Sequence, residues 1–401
     1  MAARTDLARL AAAALPLASG LALCLAAAPR DVVASPSDEE ILGADDGWKI
    51  ESVDLLTAFF DQDGLGYQSQ AGPVGGPGSE EAWILEPWLE VVIRQSARVR
   101  HEVTIPVDVV SAASPDALDA VSTASRLNES AGFEVRSAID VSEADRLTTR
   151  AAFHWEEPLS SGTLGAGWQR SVADDNATIA VTGNLTVDGF DMRDQQGDKI
   201  RQSARETTNA NLTVSQLLSP TTVIDGSYGV TWQHGTLAQT WNAVPVAGAG
   251  ATREVFPRDR LRHALTGRIA QHVPPTRSTI KVWYRYYRDD FGLSAHTVDV
   301  TGYQYLVPWL YLRGGYRFHR QSAVDFYTDA MDHLPVVGEP RTADSDLARF
   351  DAHELSLGAV LLPDGAPRAL RRFSIIAEVG RYHRTNDLTM NIVTVGLGRR
   401  F

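Results

Sequence analysis

Cysteine is almost missing: the 401 residues hold one, Cys24. A single thiol excludes an intrachain disulfide framework and any cysteine-based metal site. Long apolar runs are also scarce, for after Ala28 there is no stretch of 18 or more apolar residues that could cross a bilayer as a helix. Positive charge is in deficit, with 37 Lys and Arg against 50 Asp and Glu and a net charge of -13, which argues against a nucleic-acid partner. Beyond the N-terminal stretch the chain lacks the three-and-four spacing of apolar residues that marks amphipathic helices. It also lacks a His-x-x-x-His pair, a glycine-rich phosphate cradle, a nucleophile elbow and any blade-length repeat. No cofactor and no enzymatic activity are expected.

The N-terminus is built differently from the rest. Arg4 and Arg9 precede an apolar stretch from Leu10 to Ala28 and then small residues, the layout of a secretory signal peptide. Cleavage is expected after Ala34, within Val32-Val33-Ala34, since a cut after Ala28 would leave Pro29 at the new terminus. Residues 1–34 then form the signal and carry Cys24 away with them. The bulky Leu23 argues against lipidation of that cysteine. Losing three arginines and two aspartates leaves the mature chain one unit more acidic. Residues 35–47, rich in Ser, Asp, Glu and Gly, are expected to be a flexible periplasmic lead.

From 48 to 401 the dominant pattern is alternation. Ile179, Val181, Leu185 and Val187 interleave with Ala180, Thr182, Asn184, Thr186 and Asp188, and Ile224, Tyr228, Val230 and Trp232 with Asp225, Ser227, Thr231 and Gln233. About sixteen segments of this kind recur between 51–61 and 388–401, each about 10 to 14 residues, longer than the roughly 5 or 6 usual in soluble sheets. Their links alternate too. Short turns such as Ser219-Pro220 and Pro274-Pro275 fall in one phase, and the longer links 62–81, 111–130, 190–206, 236–259 and 321–349 fall in the other. An all-β, antiparallel, up-and-down transmembrane β-barrel of about 16 strands over 48–401 satisfies both patterns, with the short turns and both termini in the periplasm. A soluble sandwich or propeller would share the alternation but not the strand length or the export signal. The final strand ends on the aromatic Phe401, read here as the signal for the barrel assembly machinery. The outer membrane of a Gram-negative bacterium is the expected location, and membrane lipid the expected surroundings.

Three runs go beyond generic patterning. They are Val110 to Arg126 (VSAASPDALDAVSTASR), Tyr284 to Gly292 (YRYYRDDFG) followed by His296-Thr297-Val298-Asp299, and Tyr316 to Tyr327 (YRFHRQSAVDFY). Together they resemble an outer-membrane β-barrel family catalogued only as a domain of unknown function, with the likeness extending over nearly all of the mature chain. The resemblance implies an outer-membrane barrel and no activity, so it transfers no functional residue.

The more polar parity of the strands is expected to line the lumen. Arg100, Arg136, Arg268, Lys281, Arg285, Arg313 and Arg317 supply its positive charge, with Arg98, Arg146, Arg150 and Arg262. Glu102, Asp299 and Glu378 supply its negative charge, with Asp108, Glu134, Asp140, Asp188, Asp225 and Glu354. Opposed rows of this kind can orient polar solutes in a water-filled lumen. The same groups can instead pair across the interior and fill it. A porin-like channel or transporter for small polar solutes is the favoured reading. A closed structural barrel, or a scaffold or receptor binding a partner through its loops, is the alternative, with an outer-membrane hydrolase a third and weaker one.

Asp116 and Asp119, in the Ser- and Ala-rich run after Val110, are the candidates for a constriction loop. Tyr284, Tyr286, Tyr316, Phe318, Trp232 and Phe373 fall on the apolar parity and suit anchoring at the membrane interfaces. Trp283, Tyr287, Trp309 and Tyr311 fall on the other parity and could form an internal track. Asp61-Gln62-Asp63-Gly64 and Asp289-Asp290 match no full calcium-loop pattern and read as solvated turns. Ser294 and His296 share a face, as a nucleophile and base must, but that face continues into Val298 and Val300 and so points to lipid.

Overall fold

The computed structural model describes residues 47–64, 82–112, 128–156, 159–193, 199–238 and 243–401. Residues 1–46, which hold the expected signal and all but the last residue of the expected lead, and the constriction candidates Asp116 and Asp119 lie outside the described residues. The strands are β1 (Lys49–Gly64), β2 (Ala82–Arg94), β3 (Val99–Ala112), β4 (Asn128–Asp140), β5 (Asp145–Glu156), β6 (Leu159–Val172), β7 (Ala177–Arg193), β8 (Lys199–Ser219) and β9 (Thr222–Gly235). They continue with β10 (Ala243–Val246), β11 (Gly250–Arg253), β12 (Asp259–Val273), β13 (Ser278–Asp289), β14 (Ser294–Val307), β15 (Leu310–Gln321), β16 (Phe350–Leu361), β17 (Phe373–Arg384) and β18 (Leu388–Arg400).

Sixteen of these close into one barrel in which every strand pairs antiparallel with its sequence neighbours, β9 passes directly to β12, and β18 returns to β1. The hairpin β10–β11 stands apart as a small sheet of its own. Closure removes the unpaired strand edges that an open sheet would expose. Within a hydrocarbon layer it is also the only way for strands to satisfy every backbone group.

The period-two sequence pattern becomes two faces. Leu147, Leu164, Val181, Leu185, Leu212, Val214, Leu265, Ile269, Leu355, Leu357, Val393, Val395 and Leu397 are exposed on the outside. The register carries this face around the wall, as Leu265↔Tyr228↔Leu212 and Leu55↔Leu397↔Ile375 show. So continuous an apolar outer surface has no place in water. The shortest barrel strands have 12 residues, enough for the roughly 9–11 that a tilted strand needs to span a membrane. The protein is an outer-membrane β-barrel, as the alternation and strand lengths lead one to expect.

The two ends differ. At one, links are brief, such as 141–144, 173–176, 220–221, the single turn Pro274–Thr276 and 308–309. At the other, the links 236–258 and 322–349 fold into a cap. Val246 bridges to Met331, Val255 to Arg341 and Tyr327 to Thr342. Phe256, Phe291 and Phe326 meet edge to face with centroids 5.1–5.9 Å apart, over a buried cluster of Leu237, Leu293, Ala295 and Val324. Gly292 adopts φ +85, and a Cβ there would run into the Asp325 carboxylate, so the cap requires glycine at this turn.

Candidate functional site

The inward face of the barrel is where a chemical function has to reside, because the outward face is hydrocarbon-compatible. Its composition changes around the wall. On β6 to β8 it is neutral: Thr163 and Thr186 hydroxyls lie 2.8 Å apart, the Asn184 amide donates to Asn209 at 2.9 Å, and the Asn211 amide donates to Thr213 at 3.0 Å. The exception is the cap end of this arc, where Asp188 accepts from Arg205 and Ser161, each at 2.7 Å.

On β12 to β17 the inward face is ionic. Arg268 Nε donates to Asp225 of β9 at 2.5 Å, its direct cross-strand partner. Arg313 pairs with Glu378, and Arg317 bridges Asp299 and Glu354 at 3.2 Å each. Arg260, itself buried, donates to Asp289 at 2.5 and 2.9 Å. That carboxylate also accepts the Tyr287 hydroxyl at 2.9 Å and the backbone N–H groups of Phe291 and Leu293 at 3.1 and 3.0 Å, so it holds the rim turn together. Across the barrel, Arg100 reaches Glu51 at 2.8 Å, and Arg136 pairs with Glu134 and lies 3.8 Å from Glu102.

The lumen candidates named from sequence therefore stand on the parity opposite the exposed apolar face, and most are already neutralised by a neighbour. Arg285 differs. Its register partners are Thr266 and Thr297, and no carboxylate among the described residues is within ion-pair reach. Arg262 faces Asp289, whose oxygens are taken by the groups above, and Arg262 Nε is buried with no partner among the described residues. Arg98, grouped with the lumen cations by parity, sits in the 95–98 turn instead.

Aromatic rings accompany these cations. Trp283 and Tyr287 share the inward parity of β13 with Lys281 and Arg285, and Tyr311 takes the same side on β15. Arg317 lies 5.6 Å from the Trp283 centroid and Lys281 4.8 Å from that of Tyr303. Tyr303 and Tyr305 pack on Tyr311 at 5.9 and 5.1 Å. Neither was singled out by sequence, though extending the Asp299 parity along β14 reaches both. Trp309 is not on the wall but in the 308–309 turn, where its carbonyl accepts the Leu362 N–H at 2.8 Å.

Outward aromatics pair with histidines: the Tyr228 hydroxyl with His263 at 2.7 Å, Tyr284 with His296 at 2.7 Å and Tyr316 with His353 at 2.8 Å. His296 is thus engaged by tyrosine on the lipid side. Ser294, meanwhile, sits 3.5 Å from Ser322, and no hydrogen bond joins Ser294 to His296 among the described residues. Asp61 lies 3.4 Å from the Asn391 amide, and Asp290 accepts the Leu261 N–H at 3.0 Å. The described residues contain no group of three or more His, Cys, Asp or Glu arranged to hold a metal ion.

The cap reaches into the mouth. Gln321 and Arg384, inward at the tops of β15 and β17, hold its last turn: Gln321 donates to the Asp346 and Ala348 carbonyls at 2.8 and 2.7 Å, and Arg384 to the Asp346 carboxylate at 2.5 Å. A second obstruction is apolar, where Ala58, Phe60, Ile84, Leu388 and Met390 cluster on the inward face at the cap end of β18, β1 and β2.

Residues 186–361 match a family described as "Protein of unknown function (DUF3570)". That stretch contains the second and third of the runs noted above and excludes the first, so the match is shorter than the likeness read from the sequence. No curated protein matches the chain. Among solved structures, the chain is similar to Pseudomonas aeruginosa OpdK with vanillate, at 10% identity and a TM-score of 0.44, covering 88% of this chain and 98% of that one. It is similar also to a BenF-like porin from Pseudomonas fluorescens Pf-5, at 11% identity and a TM-score of 0.46, covering 88% and 99%. A bacterial polysaccharide outer membrane secretin gives 9% identity and a TM-score of 0.44, covering 87% and 98%.

Proposed function

We propose that this protein is an outer-membrane channel that lets small polar solutes pass through its lumen. The observation that carries the reading is the inward face of the closed sixteen-strand wall, polar from β3 round to β17. Barrels of this strand number are wide enough for an aqueous channel unless plugged. Arg100, Glu102, Arg136, Arg268, Lys281, Arg285, Asp299, Arg313, Arg317 and Glu378 line that path, and the short-turn end faces the periplasm. The cap over 322–349, held by Gln321 and Arg384, narrows the outer mouth, and Asp116 and Asp119 remain the candidates for a constriction loop. Phe401, whose N–H donates to the Glu51 carbonyl at 3.0 Å and whose ring is exposed, remains available as the assembly signal.

Swelling of proteoliposomes in isotonic solutions of small sugars and amino acids tests this. Swelling that slows as solute size rises supports the channel. The apolar cluster around Ile84 and Met390, together with the wall's ion pairs, favours the competing reading of a closed structural barrel, and protein-loaded liposomes that swell no faster than empty ones would establish it.

A further inference from the structure

The inward positions of β13 read Lys281, Trp283, Arg285, Tyr287: cation, ring, cation, ring. Successive inward side chains on a strand stand roughly 7 Å apart. A guanidinium and an aromatic face are therefore offered together at a spacing that a small planar carboxylate can bridge, its carboxylate on one and its ring against the other. Arg262 on β12 and Tyr303, Tyr305 and Tyr311 on β14 and β15 extend the same surface sideways and towards the short-turn end.

What singles out this strip is its unbalanced charge. Arg260, Arg268, Arg313, Arg317 and Arg384 each hold a carboxylate at salt-bridge distance. Arg262 and Arg285 hold none among the described residues, and Arg285 is open to the lumen. On the strands across the barrel the inward charges are compensated, since Arg94 and Arg100 both reach Glu51 and Glu102 lies 3.8 Å from Arg136. A dissolved anion therefore meets uncompensated positive charge at β12 and β13. A guanidinium without a protein partner is a ready bidentate receptor for a carboxylate.

We infer that the inner face of β12 to β15 is a binding track for small organic anions bearing a planar ring, with Arg285 and Arg262 taking the carboxylate and Trp283 and Tyr287 the ring. The inference deepens the channel reading and rests on it for the passage of the ligand, while binding itself can be measured without conductance.

Calorimetric titration of the detergent-folded full chain with sodium benzoate, sodium acetate and sodium cyclohexanecarboxylate is the test. Benzoate is expected to bind most tightly, with R285Q weakening it about tenfold, R262Q/R285Q more, and R285K falling between wild type and R285Q because a lysine keeps the charge but not the fork. W283L is expected to erase the preference for benzoate over acetate. R320Q, on the outer face, is expected to leave binding unchanged, and retained heat-modifiable migration in gels certifies that each variant has folded. Benzoate binding no tighter than acetate, or unaltered in folded R262Q/R285Q, overturns the inference. Benzoate binding in a protein that gives no solute flux would leave the track standing and remove the channel reading instead.

Discussion

The inner wall of β6 to β8 and that of β12 to β17 are built on the same strands-and-turns plan yet hold together in different ways. The first is a lattice of neutral hydroxyl and amide contacts, such as Thr163–Thr186 and Asn184–Asn209. The second is an array of guanidinium–carboxylate pairs with rings between them, from Arg260–Asp289 at the cap end to Arg313–Glu378 lower down. Hydrogen bonds between neutral side chains contribute modestly and are easily replaced by water. Buried charge pairs are neutral in balance but severe when one partner is removed. The ionic wall is thus the more fragile to substitution and the more able to discriminate among solutes.

The largest expected effect breaks the ionic wall at its most buried point. Asp289→Ala strands the Arg260 guanidinium and frees the Tyr287 hydroxyl and two backbone N–H groups, and urea unfolding of the lipid-folded barrel is expected to show a loss of about 3–5 kcal/mol. A smaller loss than that of a neutral-wall variant would contradict the contrast. Next comes a change that ignores the contrast because it acts on the other face: Leu265→Arg, exposed to lipid near the middle of β12, is expected to cost about 2–4 kcal/mol in the same measurement. On the neutral wall, Thr163→Val removes one hydroxyl contact and is expected to cost about 0.5–1.5 kcal/mol.

The smallest effect concerns the tip of the cap. His333 Nδ1 lies 2.8 Å from Asp332 and Nε2 lies 3.2 Å from Glu339. Its pKa is raised above the ordinary 6.5, first by the hydrogen bond with Asp332 and then by that with Glu339. Asp332 is correspondingly lowered by the bond from His333, and Glu339 by the Val336 N–H and then His333. A raised histidine contributes order that is complete below its unfolded value and is lost as pH rises through the folded one. Lowered carboxylates contribute order that is present above their unfolded values and is lost as pH falls through the folded ones. The tip is therefore most ordered between the carboxylate range and the raised histidine value. Proton NMR titration of His333 is expected to shift back towards 6.5 in Asp332→Asn, and an unmoved titration would refute the contact.

The barrel was legible in the sequence because a strand has a period of two: once Leu265 is outward, Arg268 has to be inward, and the short turns fix the order of the strands. Which inward cations are neutralised was not legible. Arg268 and Arg285 look alike along the chain, and only register shows that Asp225 stands opposite one and threonines opposite the other. The cap was invisible for a different reason. Phe256, Phe291 and Phe326 come from three separate links, and no periodicity joins them. Tyr303 and Tyr305 are within reach of the parity argument, since both share the Asp299 side of β14.

Insertion of the purified full chain into a planar lipid bilayer in potassium chloride tests the central claim most directly. A water-filled lumen requires discrete, reproducible current steps, with a reversal potential that shifts towards cations in R262Q/R285Q relative to the unaltered protein. A heat-modifiable, correctly folded barrel that inserts and stays electrically silent would contradict it.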